Sequence, residues 1–317
     1  MSKKRKQKKQ KGSVTTTERS VDIKSFFEML VCTETKPEAL ITQLKRNPNY
    51  VEDFYNGRSA LIWTIACPMR IPKNTYFVIK TLLEYGANIN TRAADGLTAL
   101  ILAVMQGRTK LAKMLIDWGA DIHMKKKGES ILEIAAAKGK EEMVTLLLNY
   151  GVHEKDMLVA LESARKYGHK KTVETIHKHQ LNFTLFLRYT DKNEKSNLSK
   201  LLKSDTFDVN TRLQHGETLL MFAARKGNED IVKLLLEQGA NINAQSQKGD
   251  TALILASRAG NKEVVKQLLD YGASRDARNV QGYTALMYAA SFSNIEILSF
   301  LLGIDGYANV DICSALL

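Results

Sequence analysis

The sequence is short of the residues and runs that most often announce export or chemistry. Its three cysteines, Cys32, Cys67 and Cys313, stand too far apart for a disulfide framework or a zinc knuckle. That spacing points to a reducing interior, an intracellular and cytoplasmic setting. Only four prolines interrupt 317 residues, so long stretches are free to be helical. No apolar run approaches the roughly 18 residues that span a bilayer, and the N-terminus shows no apolar signal segment. Also missing are a Gly-x4-Gly-Lys-Ser/Thr phosphate loop, a Gly-x-Gly-x-x-Gly turn, a His-Glu-x-x-His helix and a Gly-x-Ser-x-Gly elbow. His177 and His179 are two residues apart and point to different faces of a helix, which leaves no metal set with His169. These gaps argue against an enzyme, a cofactor and a bound metal.

What the sequence does have is repetition. The stretches "GETLLMFAARKGN" from Gly216, "GDTALILASRAGN" from Gly249 and "GYTALMYAASFSN" from Gly282 follow one another at a period of 33 residues. Further copies begin at Gly57, Gly96 and Gly128, and second apolar runs ending in turns follow, such as "LLEYGANIN", "LIDWGADIH" and "LLEQGANIN". In the Gly249 copy, Thr251 is placed to cap a helix with its hydroxyl, and Leu253, Ile254 and Ala256 fall at helical spacing. Gly260 ends that helix. A second helix over 262–271 puts Val264, Val265, Leu268 and Leu269 on one face. Two short helices cannot bury that much apolar surface alone, whereas stacked copies can. On these residues the chain resembles the ankyrin-repeat family. The resemblance implies an all-α solenoid of stacked helix-turn-helix units with β-turn fingers.

The pattern divides the chain. Residues 1–20 form a basic, disordered tail, and 21–50 read as a divergent capping repeat with helices over 22–31 and 37–45. Three repeats follow over 51–156, the first carrying an insertion near 67–76 that Pro68 and Pro72 make a loop. Over 157–212 the pattern fades into two degenerate units: "LVALESARKYGHKKTVETIHKHQLNF" still gives helix, a Gly168-His169 turn and helix, "NEKSNLSKLLKSDTFDVNTR" reads as the second half of another unit, and three sharper repeats occupy 213–311. The fading leaves open a continuous arch or two stacks joined flexibly. Persistent helical spacing through "LESARKYGHKKTVETI" favours the continuous stack. The short end at 312–317 carries Ile312, Leu316 and Leu317, either as a lid or as an exposed apolar end.

Where the family carries Thr-Pro-Leu-His, this chain has Thr98-Ala99-Leu100-Ile101, Thr251-Ala252-Leu253-Ile254 and Thr284-Ala285-Leu286-Met287. Ile62, Ile101, Met221, Ile254 and Met287 thus replace a polar seam by apolar packing, which predicts turns less tightly fixed to one another. The resemblance places binding on the concave surface made by the first helices. There the position after the family's histidine holds Trp63, Leu102, Ile134, Phe222, Leu255 and Tyr288, with Met105, Lys138, Arg225, Lys226, Arg258 and Phe292 further along. Aromatic and aliphatic anchors beside basic groups compose an interface in which the basic groups meet a partner's acids. For Leu102, Ile134 and Leu255, packing along the ridge is the competing reading. The implied role is a non-enzymatic protein-interaction scaffold that works as a monomer.

The run "KKRKQKKQK" carries seven positive charges, so +12 less 7 leaves +5 for the rest of the chain. Lys3, Lys4, Arg5, Lys6, Lys8 and Lys9 have the form of a nuclear import signal and equally of a polyanion-binding or merely solvated tail. A nuclear or nucleic-acid-associated protein is therefore the rival class. "MKKKG" at 124–128 adds a basic fingertip, read as an exposed turn. The Thr-Ala-Leu-Ile and Thr-Ala-Leu-Met spellings are also similar to those of pathogen proteins, which adds a third reading: an effector secreted into a host cell to act on host proteins.

Overall fold

The structure, a computed structural model, describes residues 16–32, 36–66, 75–204 and 207–303. The basic run, most of the insertion, the apolar C-terminus, Cys67 and Cys313 lie outside the described residues; Cys32 is exposed. Two compact units divide the chain, residues 1–131 and 132–317.

In the first unit, α1 (Thr16–Val31) begins earlier than the apolar spacing alone predicts, and α2 (Pro37–Arg46) follows. Pro37 suits the first turn of α2, where its missing N–H would have no partner anyway. Phe26, Phe27 and Leu30 of α1 and Leu40 and Leu44 of α2 recur at three- and four-residue steps and are buried. Strands β1 (Phe54–Tyr55) and β2 (Arg58–Ser59) form an antiparallel hairpin. Its Asn56-Gly57 turn holds both residues at positive φ, 49° and 73°, which matches the right-handed twist of the strands it joins. Then come α3 (Ala60–Ala66), α4 (Thr75–Glu84), α5 (Ala99–Gln106) and α6 (Thr109–Asp117). The basic fingertip is a second hairpin, β3 (Lys125–Lys126) against β4 (Glu129–Ser130).

The second unit contains the remainder of α7 (Ile131–Ala137), then α8 (Glu141–Asn149), α9 (Glu154–Lys166), α10 (Lys170–Asp191) and α11 (Lys195–Leu202). Three helix pairs complete it: α12 (Leu219–Lys226) with α13 (Glu229–Glu237), α14 (Ala252–Ala259) with α15 (Lys262–Asp270), and α16 (Ala285–Ser291) with α17 (Ile295–Leu302). Glu141 and Glu142 sit in the first turn of α8, where negative charge complements the helix dipole. Successive first helices stack through one core that includes Leu220, Met221, Leu253, Ile254 and Ala285.

Local signals explain the regular units. The hydroxyls of Thr98, Thr218, Thr251 and Thr284 accept from the backbone N–H three residues on, at 3.2, 3.2, 3.3 and 3.3 Å. Each cap fills one of the donors a helix start leaves open. Gly249 lies at a crowded approach: a Cβ there would stand 2.9 Å from Asn279 Cα and from Val280 N, and its φ is +74°. No other residue fits both restrictions.

Over 157–212, α9 and α10 flank the Gly168-His169 turn and α11 follows. Helix α10 runs unbroken for 22 residues, because no glycine or proline occurs between His169 and Lys192 to stop it. Its first half pairs with α9, and its second half, with Phe186 fully buried, packs on α11 where a separate first helix would stand.

The fingers are also tied to one another despite the lost histidines. Arg92 Nη1 donates to Gly96 O at 3.2 Å and Lys125 O at 3.0 Å, and Gln245 Nε2 donates to Gly249 O at 3.2 Å and Arg278 O at 3.0 Å. Arg212 does the same to Gly216 and Gln245. One side chain per finger holds its own turn and the next, so the polar seam has moved from the helix starts into the fingers. Among the described residues no helix is long and apolar enough to cross a membrane.

Candidate functional site

In the repeats beginning at 213 and 246, an acid precedes the capping threonine and an arginine follows eight residues later. Two turns of helix bring the arginine back over the cap. Arg225 Nε and Nη2 donate to Glu217 Oε1 and Oε2 at 3.0 and 3.3 Å, and this bond holds the guanidinium above its ordinary pKa. Arg258 Nη1 lies 3.5 Å from Asp250 Oδ2, whose side chain is only 5% exposed, and Lys226 Nζ lies 3.5 Å from Asp191 Oδ1.

The same cations cover aromatic faces. Arg225 and Lys226 sit 5.3 and 5.6 Å from the Phe222 ring centroid, and Arg258 sits 5.6 Å from that of Tyr288. The sequence reading left these three cations for a partner's acids. In the structure each already faces an acid of its own chain, three positive against three negative.

The repeat from 279 departs from that pattern. Tyr283 stands where Asp250 and Glu217 stand one and two periods earlier, and Ser291 stands where Arg258 and Arg225 do. The rings of Tyr283 and Tyr288 are 5.3 Å apart, and Phe292, one helical turn beyond Tyr288, is 63% exposed. Asn279 orients this cluster. Its Nδ2 donates to Asp250 Oδ1 at 2.9 Å and to the Tyr288 hydroxyl oxygen at 3.2 Å, while its Oδ1 accepts from the Tyr283 N–H at 2.9 Å. Tyr283, Tyr288 and Phe292 therefore form an aromatic surface on a hydrogen-bonded base. Tyr283 was not singled out in the sequence; the broken acid pattern at its position is the signal that marks it.

The other expected contacts lie elsewhere. Leu102, Ile134 and Leu255 are buried, at 7%, 7% and 4% exposure, and pack along the ridge with little surface left for a partner. Trp63 is half-buried in the first unit against Phe27 and Tyr55, with ring centroids at 5.9 and 5.2 Å, and its indole N–H meets no acceptor among the described residues. It is a packing residue of that unit. Lys138 is exposed and Met105 half-buried. Lys3, Lys4, Arg5, Lys6, Lys8 and Lys9 lie outside the described residues. Met287, whose counterparts Met221 and Ile254 are buried, is 42% exposed because no described helix stacks over it. Among the described residues no group of three His, Cys, Asp or Glu is placed to hold a metal ion.

A family model described as ankyrin repeats, three copies, matches residues 29–126, 161–246 and 220–312, more than half of the chain. A model described as the LRRK2 ANK repeat matches residues 96–184. An ankyrin repeat and KH domain-containing protein of Caenorhabditis briggsae is 35% identical over 106 residues, 31% of this chain and 4% of that protein. Ankyrin repeat and KH domain-containing protein 1 of Homo sapiens is 35% identical over 79 residues, 24% of this chain and 3% of that protein. The chain thus spans a small fraction of these two relatives. Notch-regulated ankyrin repeat-containing protein A of Danio rerio is 32% identical over 77 residues, 24% of this chain and 69% of that protein.

Proposed function

The chain belongs to the ankyrin-repeat family, and from that premise we propose that it is a non-enzymatic scaffold that captures a partner protein on the Tyr283, Tyr288 and Phe292 surface. The observation that carries this reading is the change of chemistry at one repeat. Two repeats close this surface with an acid–arginine pair, and the third leaves it open with two tyrosines and an exposed phenylalanine. Exposed, oriented aromatics are the groups that dominate binding energy at protein interfaces. The balanced pairs beside them offer hydrogen bonds without a net charge, so the favoured partner segment is apolar rather than acidic.

A photo-crosslinking residue placed at position 292, with a second chain carrying it at the exposed Lys233 on α13, tests the assignment. The expected result is one dominant adduct from 292 that is absent from 233 and is lost on Tyr288→Ser at unchanged thermal unfolding. Identical adduct patterns from the two positions would rule the surface out.

A further inference from the structure

The Tyr283, Tyr288 and Phe292 surface is one-sided in its hydrogen bonding. Beneath the rings the acceptors are filled from within the chain. Asn279 Oδ1 takes the N–H groups of Gln281 and Tyr283 at 3.2 and 2.9 Å. Asp250 Oδ1 takes the Asn279 amide at 2.9 Å, and Asp250 Oδ2 faces Arg258. Carbonyls of the finger are taken as well: Asn279 O by Gly282 N–H at 2.9 Å, Gly282 O by Arg278 Nη1 at 3.2 Å, and Tyr283 O by Asn279 N–H at 3.0 Å.

Donors, by contrast, are left over. The Tyr288 oxygen already accepts from Asn279 Nδ2 at 3.2 Å, which turns its own proton away from Asn279 and leaves it to donate. Tyr283 is 46% exposed, and its hydroxyl meets no partner among the described residues. Arg258 lies over the Tyr288 ring with a single contact to Asp250, at 3.5 Å, for a group that carries five N–H donors.

We propose that the partner segment bound here is proline-rich and docks as a polyproline II helix. The inference rests on the scaffold reading above and gives that partner its chemistry. An extended segment of ordinary residues would bury backbone N–H groups against acceptors that are already filled, and a buried donor left unpaired costs more than a typical hydrogen bond returns. Proline has no N–H and avoids that cost. A polyproline II helix makes no internal hydrogen bonds, so its carbonyls are free to accept from the Tyr283 and Tyr288 hydroxyls. An α-helical segment has its carbonyls paired internally and would leave those hydroxyls covered and unmatched. Proline rings also lie well on exposed aromatic faces, and a strand preformed in water loses little entropy on docking.

Titration of the full chain with end-capped octaproline and with an end-capped Ala-Leu-Ser repeat peptide of similar length tests this. The readout is NMR of ring-labelled tyrosine, with the Tyr283 and Tyr288 signals assigned by their loss in Tyr283→Phe and Tyr288→Phe. Octaproline is expected to move both signals saturably and to bind about fivefold more tightly than the proline-free peptide. Tyr283→Phe keeps the ring and removes only a hydroxyl that has no partner in the chain, so folding is untouched. It is expected to weaken octaproline by about fivefold and to leave the proline-free peptide unchanged. The inference is overturned if octaproline moves neither signal, if the proline-free peptide binds as tightly, or if Tyr283→Phe leaves octaproline affinity as it was. A crosslinked segment from position 292 that contains no proline also overturns it while the surface assignment stands, whereas identical adducts from 292 and 233 overturn both.

Discussion

Arg212 donates from its guanidinium to the carbonyl of Gln245, one full repeat away, at 2.6 Å. The same nitrogen also donates to Gly216 O at 2.8 Å, so one half-buried side chain pins two successive fingers. Bonds from a charged donor contribute more than neutral ones, less a discount for partial exposure, so Arg212→Met is expected to cost about 2 kcal/mol. Gln245→Ala, which removes neutral donors at 3.2 and 3.0 Å, is expected to cost about 1 kcal/mol. Urea unfolding followed by circular dichroism measures both. Equal losses, or none at Arg212, would mean the fingers are held by helix packing alone.

The buried threonine caps make a sharper contrast. Thr251 is 2% exposed and its hydroxyl accepts from Ile254 N–H, so Thr251→Ala is expected to lose about 1 kcal/mol and Thr251→Ser to keep most of it. Thr42, whose exposed hydroxyl bonds back to Glu38 O within α2, provides the control. Thr42→Ala is expected within about 0.5 kcal/mol of the unmodified chain, since alanine is the better helix former. The comparison fails if the two alanine variants shift the urea midpoint equally.

The regular repeats were legible because every signal in them is local: a capping threonine, an apolar triplet at helical spacing, a closing glycine. The full length of helix α10 was not read from the sequence because its signal is an absence, the lack of any breaker across 170–191. At the candidate site Phe222 and Tyr288 lie on the first helices α12 and α16, and Phe292 follows the last residue of α16. The sequence could not show that Arg225 and Arg258 are occupied, because an acid eight residues earlier meets them only after the cap and two helical turns have formed. For Leu102, Ile134 and Leu255 the sequence left partner contact and packing along the ridge both open, and their burial favours packing.

Helix α10 makes its own prediction. Phe186 is fully buried, with ring centroids 6.3 Å from Phe207 and 6.1 Å from Phe222, and it is the contact through which α10 takes the place of a first helix. Phe186→Ala is expected to destabilise the second unit by about 3–5 kcal/mol, the usual cost of emptying an aromatic core position. Leu181→Ala, on the same helix but 58% exposed, is expected to change stability by less than about 0.5 kcal/mol. Hydrogen exchange of the α10 and α12 amides distinguishes the two, with lost protection in both helices expected from the first variant alone. Protection that survives Phe186→Ala would show that α10 does not anchor α12.

His179 makes folding sensitive to mild acid, and the sign follows from its environment. Burial lowers its folded-state pKa from 6.5 to about 4, so between those values the unfolded chain binds a proton that the folded chain refuses. The stabilising difference is fully present above pH 6.5 and is lost as pH falls from there towards 4, below which both states are protonated. Between pH 7.5 and pH 5 this one group is expected to remove roughly 2 kcal/mol. Exposed His177, whose Nε2 stands 3.2 Å from Arg165 Nη2, offers a comparison on the same helix. Urea midpoints taken across that range should fall steeply for the unmodified chain and for His177→Gln, and much less for His179→Phe. Parallel slopes in all three chains would assign the acid sensitivity to carboxylates such as Asp230, whose bond to Lys195 holds it below the usual carboxylate range.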